Sequence, residues 1–303
     1  MEHDAGTRIT LQCYRGLQPL LARYPRMILP AARPFLDHRD PESEWLGVAA
    51  HTGSENHGVL ACLVDRRKNR LQVVSWLVAE AYAGKGIGQA LLSALETWAK
   101  SQGITYLSLT IRDNQSGFAA TSHILEKRGW HGPQALVHRF KVAAATLQDL
   151  RWQHIPRPAS ELTVFPWSEL SDAQRTALIS ELRDREQVPI EYLPTVIEQH
   201  FDALSVGVRL HDEIIGWLIA HRPKPDLVEY STLYLKPAHR NTGASILLLA
   251  ESFRHLGESG AQFVIFQVRT TNASMLRLTR RRFRPFVSEA TLMRFEKDHG
   301  PGR

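Results

Sequence analysis

Hydrophobic positions along the chain fall into two successive patterns with the same order of elements. The run Leu71-Gln72-Val73-Val74-Ser75-Trp76-Leu77-Val78 predicts a strand, and it leads into a glycine-rich turn. A helix is predicted next, because Ile87, Leu91, Leu92, Leu95, Trp98 and Ala99 share one face at a 3.6-residue period. Gly103 closes it, as a residue just past a helix C-terminus often does. An alternating strand follows, with Leu107, Leu109 and Ile111 on one face, and a second helix runs from about Gly117 to Lys127.

The same order returns downstream. A strand Leu227–Leu235 enters a turn at Arg240–Ser245, and a helix carries Ile246, Leu249, Ala250, Phe253 and Leu256. A strand at Phe263–Val268 and a short helix from Asn272 complete the set. Gly86 and Gly243 stand 157 residues apart, as do Leu107 and Val264, and Ile111 and Val268. Asn114 and Asn272 keep that offset to within one residue. An offset shared by strand, turn, helix, strand and helix marks an internal repeat. A hairpin precedes each copy: Trp45–Ala50 with Gly58–Val64, and Ser205–Leu210 with Ile214–Ala220. Between the copies, residues 151–160 hold two prolines and no period, which reads as a linker. The division expected is 1–150, a linker at 151–160, and 161–303. A strand is expected near Leu162–Phe165, a helix opening after Ser171-Asp172, and a frayed tail from Lys297.

Composition adds limits. With 303 residues, two domains are the natural prior, and 43% hydrophobic with 22% charged residues is ordinary for a globular protein. Cys13 and Cys62 form no CxxC pair and sit in apolar strand-like runs, so both are expected as buried structural thiols. Fourteen histidines show no HExxH or similar spacing, and no metal is expected. No run reaches the roughly 20 apolar residues of a membrane span. The acidic start Met1-Glu2-His3-Asp4 is not a signal peptide, so the cytoplasm is the expected compartment. The net charge of +6 suits a nucleic acid, a phosphate-rich cofactor or solubility alone, and by itself does not choose among them. The basic run Thr279-Arg280-Arg281-Arg282-Phe283-Arg284 could grip a 3′-phosphate, an acidic partner or RNA; a solvated helix face is the plainer reading, and nucleic acid ranks last among the expected partners.

The chemistry concentrates at Ala83-Gly84-Lys85-Gly86-Ile87-Gly88. The first N–H groups of a helix have no intrahelical partner, and the helix dipole adds partial positive charge there. Glycines let the backbone approach a phosphate, and Lys85 adds a cation, so a pyrophosphate fits this turn. The spacing is neither the GxxxxGK[ST] of a Walker loop nor a GxGxxG fingerprint.

The stretch Leu77–Leu92 resembles the motif of GNAT N-acyltransferases: a hydrophobic strand, then [RQ]xxGx[GA], then an apolar helix. Leu235–Ser245 resembles the same motif. The first copy departs at Ala83, where the family usually has Arg or Gln. The second departs at Ser245, where the family has Gly or Ala. The resemblance implies an α/β fold with a mixed sheet of α+β type, built as two tandem GNAT domains packed as an internal pseudo-dimer, or a homodimer. It implies acetyl-CoA or another acyl-CoA as co-substrate and a small-molecule or peptide amine as acceptor.

In the first copy, the resemblance assigns backbone contacts to Leu77, Val78 and Ala79, and the loop to Gly84, Lys85, Gly86, Ile87, Gly88 and Gln89. In the second, it assigns Leu235, Arg240, Asn241, Thr242, Gly243, Ala244 and Ser245. Asn114 and Asn272 stand where the family often places a CoA-contacting asparagine, and helix capping explains them equally well. The family's general acid is a tyrosine four residues before a Gly-Phe-like pair. Gly129-Trp130 puts Leu125 there in the first copy, and Leu278 or Thr279 stands there in the second. Glu229 and Tyr234 are the remaining catalytic candidates; a solvated carboxylate and a packing ring are the plainer readings of them. By simple alternation, Glu229 shares a face with Ser231 and Leu233, and Tyr230 with Thr232 and Tyr234. The rival to an N-acyltransferase is an inactive CoA-binding regulator or interaction module.

Overall fold

A computed structural model describes residues 9–24, 43–149, 161–184, 201–240, 242–284 and 286–300. The chain forms two compact units, residues 1–136 with 291–303, and residues 137–290.

The first unit holds β1 (Thr10–Arg15), α1 (Leu17–Arg23), β2 (Ser43–Thr52), β3 (Glu55–Asp65), β4 (Arg70–Val78), α2 (Ile87–Ser101), β5 (Tyr106–Arg112) and α3 (Phe118–Lys127). Its sheet runs β1-β2-β3-β4-β5-β12. The last strand, β12 (Val287–Asp298), arrives from the far end of the chain. It pairs antiparallel with β5, from Leu292 opposite Arg112 to Asp298 opposite Tyr106. The apolar stripe of α2 explains why the helix lies on this sheet. Ile87, Leu91, Leu92, Leu95 and the small Ala99 are buried, packed with Leu46, Val48, Leu60, Leu71 and Val73. On the other face, Leu20 and Tyr24 pack on Ala49 and Val59.

The second unit contains the later part of β6 (His131–Ala143), α4 (Ala144–Asp149), β7 (Leu162–Pro166), α5 (Asp172–Asp184), β8 (Val206–Leu210), β9 (Glu213–Lys224), β10 (Leu227–Leu235), α6 (Ala244–Arg254), β11 (Phe263–Arg269) and α7 (Ala273–Phe283). Its sheet runs β6-β11-β10-β9-β8-β7. Helix α6 buries Leu248, Leu249 and Phe253 against Val208, Leu218, Val228 and Val264. The start of α5 is a capping box: Gln174 N–H donates to Ser171 Oγ at 3.3 Å, and Ser171 N–H donates to Gln174 Oε1 at 2.9 Å.

Four expectations change. The division falls after Leu136 instead of at 150, and residues 291–303 join the first unit instead of the second. The cause is β6 and β12, which the hydrophobic pattern does not reveal. Within β12 only Thr291 and Phe295 are buried, too few for a readable alternation. Lys297 and Asp298 are the end of that strand and not a frayed tail. Cys13 is exposed, on the outermost strand of its sheet, while Cys62 is buried as expected. The linker at 151–160 lies outside the described residues.

Candidate functional site

The site in the first unit is made by a strand that parts from its neighbour. β4 and β5 pair in parallel only from Arg70–Val73 with Tyr106–Leu109. Immediately beyond, β4 bulges at Val74: Val73 faces Cys62, and Ser75 already faces Ala61. A bulge inserts one residue and bends its strand. It also reverses the alternation. Leu71 and Val73 face α2 before it, and Trp76 and Val78 face α2 after it. The edge of β4 toward β5 is thereby left without a strand partner over its last residues.

A 3₁₀ turn at Glu80–Tyr82 then leads to Gly84 and Gly86, at φ 75° and 79°. A Cβ at either glycine would meet nothing within 4 Å, so their backbone angle, and not crowding, calls for glycine. Gly86 caps α2 with no side-chain hydrogen bond. The first amide bond back to the cap is Ala90 N–H to Gly86 O, 3.0 Å. Among the described residues, the N–H groups of Gly86, Ile87, Gly88 and Gln89 have no acceptor. Four free donors at a dipole's positive end are a geometry that suits an anion.

These donors border a cleft of about 790 Å³ between β4, the loop and α3. Leu77, Val78, Gly84, Gly86, Ile87, Gly88 and Gln89 line it. Ala79, Lys85 and Asn114 do not. Ala79 N–H is bonded to His57 O at 2.8 Å. Lys85 Nζ stands 5.0 Å over the Tyr82 ring, a cation–π contact. Asn114 is exposed, and Gly117 is the cap of α3, so Asn114 does not cap that helix. Instead Gln115, Ser116 and Gly117 reach the cleft, with Ala120, Thr121 and Ile124 of α3. These residues carry no motif of their own; the Ala120/Ile124 spacing of four is the signal that one helix face turns inward. Trp76, Glu80 and Tyr82 also line the cleft.

The turn before the loop is clamped to the β2–β3 hairpin. The Tyr82 hydroxyl donates to Glu55 through a short bond, and that bond, with desolvation and the carboxylate's charge, pushes the phenol's pKa up. The Tyr82 ring meets the His57 ring at 3.9 Å. His57 is buried, with Nε2 2.8 Å from Thr52 Oγ1.

The second loop copies the backbone and changes the donors. β10 and β11 pair in parallel only over Leu227–Tyr230 and Phe263–Phe266, and β10 is displaced at Ser231. Gly243, at φ 82°, caps α6. Here Ile246 N–H and Leu247 N–H both bond Gly243 O, at 3.0 and 3.2 Å. The donor that Gln89 leaves free is therefore taken at Ile246. Leu235 and Ala244 are buried, and Ser245 is half-buried. Arg240 is exposed, its Nε 3.4 Å from Leu235 O, and Thr242 Oγ1 donates to His239 O at 2.8 Å. Asn241 lies outside the described residues. Asn272 caps α7, accepting from Met275 N–H at 3.1 Å.

The bulge at Ser231 corrects the expected faces of β10. Tyr230 packs with Phe253 on the α6 side, its hydroxyl 2.7 Å from Ser252 Oγ, and burial pushes its pKa up. Tyr234 lies in the opposite cluster, stacked on Trp217 at 4.6 Å. The two tyrosines therefore do not share a face. Glu229 accepts from Gln267 Nε2 at 3.5 Å. At the positions expected for an acid, Leu125 and Thr279 are fully buried and Leu278 packs on the core of its unit.

Among the described residues no cluster of His, Cys, Asp and Glu is arranged to hold a metal, and no helix is long and apolar enough to cross a membrane. No curated protein matches the chain. Among solved structures, a tandem GNAT protein from the clavulanic acid biosynthesis pathway is similar, with a TM-score of 0.68 at 14% identity, over 97% of this chain and 100% of that one. A GCN5-related N-acetyltransferase from Sphaerobacter thermophilus gives 0.59 at 16% identity, over 97% of each chain. A glucosamine N-acetyltransferase region of a fungal multi-domain β-N-acetylglucosaminidase gives 0.61 at 15%, over 98% of this chain and 39% of that one. At such identities these likenesses speak for the fold. The model of the acetyltransferase (GNAT) family matches residues 11–119 and again 167–283. Those two stretches together span more than half of the sequence, and the chain belongs to the acetyltransferase (GNAT) family, with two GNAT domains in tandem.

Proposed function

We propose that the chain is an acyl-CoA-dependent N-acyltransferase whose donor sits in the first unit, with acetyl-CoA as the donor and an amine as the acceptor. One observation carries this: four free N–H groups at the start of α2 border a cleft that continues along the unpaired edge of β4. An acyl-CoA has a pyrophosphate for the first and an amide-bearing arm for the second. The residues present fit the group. Gly86, Ile87, Gly88 and Gln89 would hold the pyrophosphate through their amides, and Leu77 and Val78 would meet the arm.

A bound acyl-CoA supplies an activated thioester. The chain's residues bind it, orient it and shield it from water, with Trp76 and Ile124 as apolar walls. Orientation of the acceptor against a fixed donor supplies much of the rate in such a transfer. The leaving thiol is acidic beside an amine, with an ordinary pKa of about 8.5 for a cysteine thiol, so its departure asks little of a general acid. That is compatible with a buried leucine at position 125. Both cysteines are free, which suits the reducing cytoplasm.

The second reading is a CoA-binding module without catalysis. Leu125 and Thr279 favour it, being buried apolar or small side chains where the family's tyrosine is expected. Calorimetry with CoA, and thiol release from acetyl-CoA over a panel of amines, separate the two. The expected result is CoA binding plus thiol release with at least one amine class. Gly86→Glu places a carboxylate among the four amides, and binding is expected to fall by at least about 100-fold, some 3 kcal/mol. Unchanged affinity in that variant removes the pyrophosphate from this loop. Binding with no release over the panel supports the module instead.

A further inference from the structure

Trp76 lines the cleft on the strand that leads into the loop. The loop lies beyond the C-terminal end of β4. An arm that starts at the loop and lies along the free edge of β4 therefore runs back past Val78 and Leu77 and meets Trp76. The bulge at Val74 turns this residue onto the α2 face, where the indole packs on the core. Its reach across the cleft is measured at Gly88: a Cβ there would stand 3.4 Å from Cζ2 and 3.5 Å from Nε1 of Trp76, and 3.7 Å from Ile124 Cδ1. The indole thus spans from β4 to the first turn of α2, and Ile124 of α3 approaches the same point of that turn. All three elements contribute residues to the wall of the same cleft.

Resting on the acyl-CoA reading above, we infer that Trp76 sets the acyl-chain length, closing the inner end of the cleft to all but short acyl groups such as acetyl. An indole packed on the core and against the first turn of α2 yields little, because packed interiors resist displacement. An added methylene that finds no room is discriminated against by roughly 10-fold or more. In the second unit the residue 157 positions on is Leu233, so this wall belongs to the first copy alone.

The test is a binding series that needs no acceptor. Dissociation constants of CoA, acetyl-CoA, butyryl-CoA and hexanoyl-CoA are measured by calorimetry on the whole chain, each acyl-CoA expressed relative to unacylated CoA on the same protein. In the unsubstituted protein, acetyl-CoA is expected to bind like CoA or better, and hexanoyl-CoA at least about 10-fold more weakly. In Trp76→Ala and in the milder Trp76→Leu, the hexanoyl-to-acetyl ratio is expected to fall by about 10-fold or to invert. Equal binding of acetyl- and hexanoyl-CoA by the unsubstituted protein overturns the inference, whatever the variants do. So does an unchanged ratio in either variant that still binds CoA. If the unsubstituted protein binds no CoA at all, the acyl-CoA reading fails, and the role of Trp76 falls with it.

Discussion

Glu96 offers the sharpest test of how the first unit is held together. It sits midway along α2 and is only 6% exposed. Its carboxylate accepts from Arg128 Nε at 2.9 Å and from Arg128 Nη2, from Trp130 Nε1 at 2.7 Å, and from Lys297 Nζ at 3.0 Å. Lys297 also donates to Arg128 O at 2.7 Å. Glu96 and Lys297 are 201 residues apart in sequence, so this cluster pins β12 to the helix that follows the glycine loop. Glu96→Ala leaves the buried Trp130 N–H without its acceptor, which costs about 1–3 kcal/mol. It also leaves two cations unpaired. Their side chains keep 31% and 19% exposure, so each loses less than the 3–5 kcal/mol of a fully buried broken pair. We expect a destabilisation of about 3–4 kcal/mol, confined to the first unit.

Burial alone would push the Glu96 carboxyl up, but the donors from Arg128, Trp130 and Lys297, with the charge of Lys297, outweigh it and hold it below its usual 4.5. A carboxyl lowered on folding stabilises above its ordinary range and loses that contribution as pH falls through the folded value. The gap between wild type and Glu96→Ala should therefore be full at pH 7 and close in acid below about pH 4. Hydrogen exchange under graded urea, followed on peptides spanning 87–101 and 292–298, reads it without assuming a single transition. A double-mutant cycle with Lys297→Ala should return a coupling of about 1–3 kcal/mol. A loss under about 1 kcal/mol at pH 7 would refute the reasoning, and so would a gap that does not shrink in acid.

Three further outcomes are expected. Asn272→Ala should cost about 1 kcal/mol in the second unit through loss of the α7 cap, with CoA affinity unmoved in calorimetry; a fall in affinity would restore the asparagine to the ligand. Thiol titration of the native protein should modify the exposed Cys13 and spare the buried Cys62, at a rate still rising as pH passes 9, because partial desolvation by its neighbours raises the Cys13 thiol; two reactive thiols would contradict the packing around Cys62. Gly216→Ala should destabilise the second unit by roughly 1–3 kcal/mol or more. Its Cβ would stand 2.5 Å from Tyr234 O and 3.2 Å from Leu235 Cα, and backbone does not give way as a side chain does; a urea midpoint equal to wild type would show otherwise.

The helices and the strands before each loop were legible because their apolar stripes are long and regular. The loop at Gly84–Gly88 was legible because glycine is what a positive φ demands. β6 and β12 were not, since a strand with two buried side chains leaves no period to read. The cleft wall formed by Gln115–Gly117 and α3 escaped for another reason. It depends on how far two parallel strands part, and no residue type encodes that distance. The family resemblance marked Asn114 and Asn272 alike, yet one is exposed in a turn and the other caps a helix.

The two bulges separate two things that the repeat joins. Val74 and Ser231 stand 157 residues apart, and each marks the point where a central strand leaves its parallel neighbour. Both units therefore hold the same opening, with the same reversal of faces behind it. The helix starts beyond it differ: four free amides run from Gly86 to Gln89, whereas Ile246 N–H is drawn back to Gly243 O. Opening and donors make different demands on stoichiometry. If the parted strands alone secured the donor, each chain would bind two CoA molecules with similar affinity. If the free amides of the helix start decide, one tight site per chain is expected, and Gly86→Glu removes it. Calorimetric stoichiometry near one, falling toward zero in that variant, supports the amides; two matched sites that persist at one in the variant would show that the opening suffices.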